Sequence, residues 1–182
     1  LKHEARHRLW QYRIHGGVEN DRNFLRFAAT LIGHTTDWNP PRQLLRAGLY
    51  WPDLETPDIS ALRDVWRNAA PVAVVTFYKA LVQAGTLAPI DALIDALSVR
   101  GVNPLPIYIS SLKDPVSVEL LTSICEEIAP SIVLNATGFA VSQPGAPRTE
   151  TAFDTMGCPV LQIVLGGSTH ASWESNVQGL SP

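Results

Sequence analysis

A strand followed by a helix within residues 71–97 most constrains how this chain can fold. Residues 72–77 form an apolar, β-branched run with almost no polar alternation, which is typical of a parallel strand covered on both faces. From Ile90 to Leu97, apolar residues recur at i, i+3, i+4 and i+7, and Gly101 follows the last turn. This pattern predicts an amphipathic helix. Together, the two elements predict an α/β fold.

The segment that joins this strand to this helix, residues 78–85, predicts a long loop. Strand-to-helix loops in such folds usually have about two to six residues, and this segment is longer. It also follows the carboxyl end of a buried parallel strand, which is where ligands bind in open α/β sheets. We therefore expect a binding site beside residues 78–85.

Three more strands are predicted further along the chain, at residues 104–111, 131–135 and 159–165. A helix that begins with the cap Asp114 and Pro115 separates two of them. Strands that alternate with helices imply right-handed crossovers and a parallel sheet. We predict a flavodoxin-like parallel sheet of about four strands in the order 2-1-3-4, preceded by a mostly helical segment.

The chain is expected to divide near residue 70. Residues 1–70 predict a helical, aromatic-rich segment, and residues 71–182 predict the α/β domain. Four tryptophans crowd the first part, where they favour a core or an interface; they are Trp10, Trp38, Trp51 and Trp66. The sequence begins without a Met, so we expect an interior piece of a longer polypeptide whose later sequence completes the sheet.

Composition limits the function classes. With 46% hydrophobic and 17% charged residues in 182 positions, the chain can form a packed core. A net charge of −3 does not indicate the basic surface that nucleic-acid binding requires. No apolar run approaches the roughly twenty residues of a membrane span, and no signal peptide is apparent. Cys125 and Cys158 are interpreted as buried thiols in a reducing compartment. We expect a cytoplasmic protein without a membrane partner.

Two short motifs have ordinary explanations. His3 and His7 complete an H-E-x-x-H pattern, but Arg13 stands where a metzincin has its third His, and Arg6 places a charge inside the motif. We interpret this segment as a solvated helix face. The glycines at 166 and 167 open a predicted helix, where backbone N–H groups either bind an anion or form a tight turn with a Ser or Thr cap, and we favour the turn. The sequence contains no G-x-x-x-x-G-K-[ST] phosphate loop. We expect no ATP hydrolysis by these residues.

The predicted site lies in the crevice between the first and third strands, between residues 78–85 and 135–142, with residues 166–174 closing one side. His170 and Glu174 stand at i, i+4, and the pair is either a metal or proton site or an exposed surface pair. We take them as catalytic candidates, with His170 also a candidate metal ligand. Polar residues at the strand ends either bind a ligand or satisfy turn backbone. The substrate-binding candidates are Tyr78, Lys79, Gln83, Asn135, Thr137, Ser168 and Thr169.

Several blocks of the sequence resemble one family. They are VVTFYK from Val74, GTLAPIDALIDAL from Gly85, LPIY from Leu105, CPVLQ from Cys158, and the GGVEN block at residues 16–20. In order and spacing, these blocks resemble the CobN/magnesium chelatase H subunit family, and the resemblance spans nearly the whole chain.

The resemblance implies a function for a much longer protein. It implies the large, tetrapyrrole-binding subunit of the ATP-dependent cobaltochelatase of aerobic cobalamin synthesis, which inserts Co²⁺ into hydrogenobyrinic acid a,c-diamide. ATP and Mg²⁺ would bind to AAA+ ATPase partner subunits and not to this segment, which alone is expected to be inactive. Co²⁺ is then a substrate ion, and a corrinoid or related tetrapyrrole is the other substrate.

The resemblance also suggests roles and leaves alternatives open. Family members often carry an acidic residue shortly before the Trp that matches Trp173, and this chain has Ala171 and Ser172 there, so Glu174 would have to replace it. Lys79 or Arg148 would meet substrate carboxylates, while Tyr78 and Asn135 would orient the ring. The alternatives are a magnesium chelatase H-type subunit and a non-catalytic flavodoxin-like scaffold that docks other subunits.

Overall fold

The computed structural model of the chain describes residues 2–138, 145, 147 and 150–175. The elements, in chain order, are α1 (His3–His15), α2 (Val18–Leu31), β1 (Ala47–Leu49), α3 (Ile59–Val65), β2 (Val72–Tyr78), α4 (Lys79–Ala84), α5 (Ala88–Val99), β3 (Asn103–Ile109), α6 (Pro115–Ile128), β4 (Ile132–Asn135), a 3₁₀ turn (Ala152–Thr155), β5 (Val160–Gln162) and α7 (His170–Ser175).

One five-stranded sheet organises these elements, in the order β1-β3-β2-β4-β5. Strands β3, β2, β4 and β5 are parallel, and they are the four predicted strands in the predicted order 2-1-3-4. The α/β fold class is therefore confirmed. The last strand is shorter than the predicted 159–165, because only three of its residues pair with β4.

The predicted number of strands was one too low. Strand β1 pairs antiparallel with β3, so the sheet is mostly but not wholly parallel. Sequence reasoning missed β1 because it has three residues, too few for an alternating pattern, and its centre is Gly48, a residue depleted in strands. The glycine is needed here: a Cβ at this position would lie 2.5 Å from the hydroxyl oxygen of Tyr108.

The predicted loop at residues 78–85 is wrong. Residues Lys79–Ala84 form the short helix α4, which begins immediately after β2. Lys, Ala, Leu and Gln all favour the helix, but six residues are too few for a helical period to stand out. Gly85 ends the helix in a left-handed conformation, with φ of 69°, as glycine commonly does at this position.

The sheet carries apolar clusters on both faces, because successive side chains of a strand point to opposite sides. On one face, Leu105 and Ile107 of β3 pack with Leu121 and Cys125 of α6. On the other face, Tyr108 belongs to a cluster with Ile90 of α5 and its neighbours. Both faces of the central strands β2 and β3 are thus covered, as their uninterrupted apolar runs predict, whereas β5 is exposed.

The turn between α1 and α2 packs against α4. The amide of Gly17 donates to the carbonyl of Gln83 at 2.8 Å. Gly16 has φ of 64°, and a Cβ there would lie 3.0 Å from the same carbonyl oxygen, so the close approach requires glycine. This contact fixes the helical hairpin beside the carboxyl end of β2.

The division of the chain at residue 70 stays a prediction. Ala47, from the first segment, shares a core cluster with residues of β2 and β3, which belong to the second. Among the residues that the structure describes, no helix is both long enough and apolar enough to cross a bilayer.

Candidate functional site

At the predicted crevice, β2 and β4 pair directly, and the side chain of Asn135 is hydrogen-bonded within the chain. Its Oδ1 accepts from the Thr76 hydroxyl at 2.8 Å and from the backbone amide and hydroxyl of Thr137 at 3.1 and 2.7 Å. Its Nδ2 donates to Gln162 Oε1 at 2.9 Å. Asn135 and Thr137 are buried. The bonds fit the interpretation that these side chains satisfy a turn; their contact with a ligand stays a prediction.

Part of the predicted crevice lies outside the described residues. This holds for positions 139–142 and for Arg148. Of the buried side-chain polar atoms in the described ranges, none lacks a hydrogen-bond partner. The described polar groups at the end of β4 therefore hold β2, β4 and β5 in register at this edge of the sheet.

Two of the three candidates on the other side of the crevice, Lys79 and Gln83, contact the first segment of the chain. Lys79 Nζ donates to the Leu44 carbonyl at 3.2 Å. The Gln83 amide reaches the carbonyls of Ile14 and His15 at 3.4 Å each. Tyr78 is half-buried at the start of α4. Their location at the carboxyl end of β2 is as predicted, but Lys79 and Gln83 contact residues that precede the sheet.

A charged cluster lies at the neighbouring carboxyl end of β3. The Asp114 carboxylate is buried and accepts from the amide of Ser117 at 3.1 Å, which confirms its predicted role as a helix cap. It also pairs with the exposed guanidinium of Arg46 at 3.0 Å. Burial, and then Arg46, lower the pKa of Lys79, while Asp114 opposes this shift. Sequence reasoning missed Arg46, because no local pattern links it to β3.

His170 and Glu174 are together on α7 and exposed. Their closest atoms, Nδ1 and Oε2, are 3.6 Å apart, and the two side chains are 76% and 63% exposed. The His170 ring lies 5.4 Å from the Trp173 ring. Thr169 Oγ1 accepts from the amide of Ser172, so it caps the short helix, and Ser168 precedes it half-buried. An exposed ion pair of this kind contributes about 0–1 kcal/mol to stability. Any important role of the pair would therefore be in binding or catalysis.

A cavity of about 610 Å³ opens elsewhere, between the start of α2, the residues around β1, and α4. We call it the Tyr50 cavity. Its charged lining residues are Glu19, Arg42, Asp53 and Glu55, and Arg42 pairs with Glu55. Its apolar walls are formed by Leu44, Leu49, Trp51, Val82, Leu87 and Tyr108. Among the described residues of the predicted site segments, Val82 of segment 78–85 lines this cavity.

Tyr50 places a half-buried phenol on the lining of this cavity. Its hydroxyl donates to Asp91 Oδ1 at 2.6 Å. Burial, then the hydrogen bond to Asp91 and the negative charges of Asp91 and Asp53, raise the pKa of the phenol, which therefore stays protonated. Asp53 has φ of 64°, in the left-handed region that non-glycine residues rarely adopt. Sequence reasoning missed this site, because its walls come from segments that are far apart in the sequence, from Gly16 to Tyr108.

No cluster of three or more His, Cys, Asp or Glu residues suited to a metal ion occurs within the described ranges. His3 and His7 lie on α1 and line a shallow concavity with Arg6 and Trp10, which agrees with a solvated helix face. Burial, and then the nearby Cys158, raise the pKa of the Cys125 thiol to about 12. The thiol is therefore protonated near neutral pH and is a poor metal ligand.

Comparisons with known proteins agree with one another. The family model described as CobN/Magnesium Chelatase matches residues 10–182. A Sinorhizobium protein named aerobic cobaltochelatase subunit CobN is 44% identical over 185 residues, which covers 97% of this chain and 14% of that protein. The Pseudomonas aeruginosa protein of the same name is 33% identical over all of this chain and 14% of its own length. This chain thus spans about one seventh of these relatives.

A solved structure has a similar fold along almost the entire chain. The catalytic subunit of cobaltochelatase from Mycobacterium tuberculosis aligns with a TM-score of 0.73 at 25% identity, over 98% of this chain and 15% of that one. The family model covers far more than half of the sequence, and both sequence relatives exceed 30% identity. The chain therefore belongs to the CobN/magnesium chelatase family.

Proposed function

We propose that this chain is part of the large, tetrapyrrole-binding subunit of an ATP-dependent cobaltochelatase, a ligase that forms nitrogen–metal bonds. The observation that carries the proposal is the 44% identity, over 97% of the chain, to a protein named aerobic cobaltochelatase subunit CobN. The proposed reaction inserts Co²⁺ into hydrogenobyrinic acid a,c-diamide in cobalamin biosynthesis. Both are substrates, and this segment supplies side chains to the assembly that binds them.

Metal insertion sets chemical tasks that the candidate residues suit. Pyrrole N–H protons must be accepted as the ring nitrogens bind the ion, and the ion must lose its water. We assign proton acceptance or transient cobalt binding to His170, with Glu174 as its neighbour at 3.6 Å. The exposure of both side chains, 76% and 63%, supports this assignment, because a large substrate can reach them.

The tetrapyrrole carries peripheral carboxylates, which require cations. Lys79 lies at the carboxyl end of β2, and its Nζ donates to the Leu44 carbonyl. An ammonium group has three protons to donate, so within the described part of the chain it can also meet a carboxylate. We assign this contact with a substrate carboxylate to Lys79. We assign the same role to Arg148, which lies outside the described residues. Tyr78 and Asn135 are assigned to orienting the ring.

Energy is proposed to come from partner subunits. The sequence contains no phosphate loop of the G-x-x-x-x-G-K-[ST] type. We therefore assign ATP and its Mg²⁺ to AAA+ ATPase subunits that assemble with the full-length polypeptide. Binding of those partners would couple ATP hydrolysis to the release of the metallated product or to delivery of the ion.

The test uses the full-length polypeptide with its AAA+ partners, hydrogenobyrinic acid a,c-diamide, Co²⁺ and MgATP. We expect the corrin absorbance to change as cobalt enters, and the change to disappear without ATP or without the partners. Parallel reactions contain Mg²⁺ and a porphyrin. Magnesium insertion without cobalt insertion would support the H-type alternative. An intact assembly that inserts neither ion would support the scaffold alternative.

A further inference from the structure

The Tyr50 cavity has the size and walls of a small-molecule site. Its volume of about 610 Å³ falls within the roughly 300–1,000 Å³ typical of such sites. Three aromatic side chains, those of Tyr50, Trp51 and Tyr108, line it together with aliphatic residues. Walls of this composition bury an apolar or aromatic body and attract cations to the faces of the rings.

The charged residues that line the cavity determine which sign of charge a ligand can carry. Three carboxylates line it, those of Glu19, Asp53 and Glu55, against one guanidinium. That guanidinium, Arg42, is already paired with Glu55. Negative charge is therefore in excess, and it repels an anion. The peripheral carboxylates of a corrin substrate are disfavoured for the same reason. This cavity adjoins the proposed substrate site, through Val82 and Leu44, but its charge suits a different ligand.

The phenol of Tyr50 determines whether a ligand must donate or accept hydrogen bonds. Its single proton is committed to Asp91 at 2.6 Å, which leaves the phenol oxygen with acceptor capacity only. Asp53, on the cavity lining, is likewise an acceptor. A ligand that fits these groups must donate hydrogen bonds, and a protonated amine both donates and carries the complementary charge.

We propose that the Tyr50 cavity binds a small organic cation: a protonated amine carried on an apolar or aromatic body. The body packs between Trp51, Tyr108 and the aliphatic walls, and the ammonium lies toward Asp53 and the oxygen of Tyr50. This site is separate from metal insertion and needs neither cobalt, tetrapyrrole nor ATP. It gives the full-length protein a second ligand, independent of its proposed reaction.

The test compares two probes of equal size and opposite charge, 4-phenylbutylamine and 4-phenylbutyrate, titrated calorimetrically into the full-length polypeptide at neutral pH. We expect the amine to bind at least about tenfold more tightly than the carboxylate, and added salt to reduce the difference. Equal affinities, tighter binding of the carboxylate, or no amine binding at millimolar concentrations would each overturn the proposal.

Two variants locate the binding. Asp53→Asn removes the charge, and Asn tolerates the backbone φ of 64° at this position; it should weaken amine binding by about two- to fivefold. Leu54→Trp, at a 42% exposed position on the lining, should fill the cavity and abolish binding of the amine. Asp95→Asn, an exposed carboxylate on α5, is the matched control and should bind like the wild type.

Wild-type amine binding in both Asp53→Asn and Leu54→Trp would place the ligand elsewhere and end the proposal. Because calorimetry is done without cobalt, tetrapyrrole or ATP, a failure here leaves the chelatase function untouched. A failure of cobalt insertion likewise leaves the amine result standing.

Discussion

Asn20 holds the backbone of Arg42 through both of its polar groups. Its Oδ1 accepts from the Arg42 amide at 2.9 Å, and its Nδ2 donates to the Arg42 carbonyl at 2.8 Å. The same Nδ2 also donates to the Gly16 carbonyl at 2.8 Å. One buried side chain on α2 thus ties the helical hairpin to the segment that leads into β1, and it forms part of the wall of the Tyr50 cavity.

Asn20→Ala should therefore destabilise the chain. Loss of the amide leaves the N–H and carbonyl of Arg42 without these partners, which costs about 1–3 kcal/mol of the free energy of unfolding. The measurement is urea unfolding followed by circular dichroism. Gln43→Ala, which removes an exposed amide from the next residue along the segment, should change stability by less than about 0.5 kcal/mol. Equal effects of the two substitutions would contradict this account.

Gly48→Ala should weaken the edge of the sheet. The added methyl would lie 2.5 Å from the Tyr108 hydroxyl oxygen and 2.7 Å from the ring carbon that bears it. Tyr108 is 7% exposed, so it has little room to move, and we expect a loss of about 1–3 kcal/mol.

A second substitution separates this clash from a general effect of alanine. Tyr108→Phe removes the nearer of the two atoms, so the double variant should recover part of the lost stability, as measured by thermal unfolding. Gly138→Ala is the control, because a Cβ there meets nothing within 4 Å. If Gly138→Ala destabilises as much as Gly48→Ala, steric contact with Tyr108 is not the cause.

The sheet order was predictable because its signal is local. The buried run of β2 and the spacing Ile90, Leu93, Ile94, Leu97 each identify an element within a few residues. The cap at Asp114 similarly marks the start of α6. The rule for right-handed crossovers then converts element order into strand order. These steps need no knowledge of which distant residues meet.

The missed features depend on distant residues. Strand β1 exists through its pairing with β3, about sixty positions later, and its three residues carry no period of their own. At the Tyr50 cavity, the hydroxyl of Tyr50 bonds to Asp91, which is 41 positions away in the sequence. Asn135 was correctly placed at the end of β4, but its five hydrogen bonds involve Thr76, Thr137 and Gln162. Sequence periodicity does not encode such contacts.

The buried thiol of Cys125 predicts a loss of stability in alkali. Its pKa is raised from 9.0 to about 12 in the folded chain, mainly by burial. Above about pH 9 the unfolded chain releases this proton first, so the free energy of unfolding falls by up to about 1.4 kcal/mol per pH unit until the folded thiol also ionises. The contribution is fully present below pH 9 and is lost as the pH rises toward 12.

Comparison with Cys125→Ala isolates this group. The substitution costs stability at every pH because it removes buried volume, but it should remove the alkaline slope that is due to the thiol. Tyr12, Tyr50, Tyr108 and Cys158 also have raised pKa values, and they are present in both proteins, so the slopes due to their burial cancel in the comparison. Urea unfolding from pH 7.5 to 10.5 gives both slopes. A constant difference between the two proteins over this range would refute the prediction.

The last prediction concerns His170 in the full-length subunit. His170→Ala should slow cobalt insertion by at least about tenfold, since general base catalysis typically contributes more than that. It should leave corrin affinity within about twofold, because a group that takes protons during insertion need not hold the ring. The two quantities are measured separately, by a chelation assay and by absorbance titration with the corrin. The side chain is 76% exposed, so folding should be unaffected.

Two further variants decide what the result means. Glu174→Gln should have a smaller effect in the same direction, because the side-chain amide can still hold the ring of His170 in place but, unlike the carboxylate, does not bind a metal ion as an anionic ligand. His34→Ala, an exposed histidine after α2, is the control for loss of any surface imidazole. If insertion is unchanged in both His170→Ala and Glu174→Gln, the pair is only a surface contact. That result would favour the interpretation of this segment as a scaffold, because the exposed pair that follows β5 would then take no part in metal insertion.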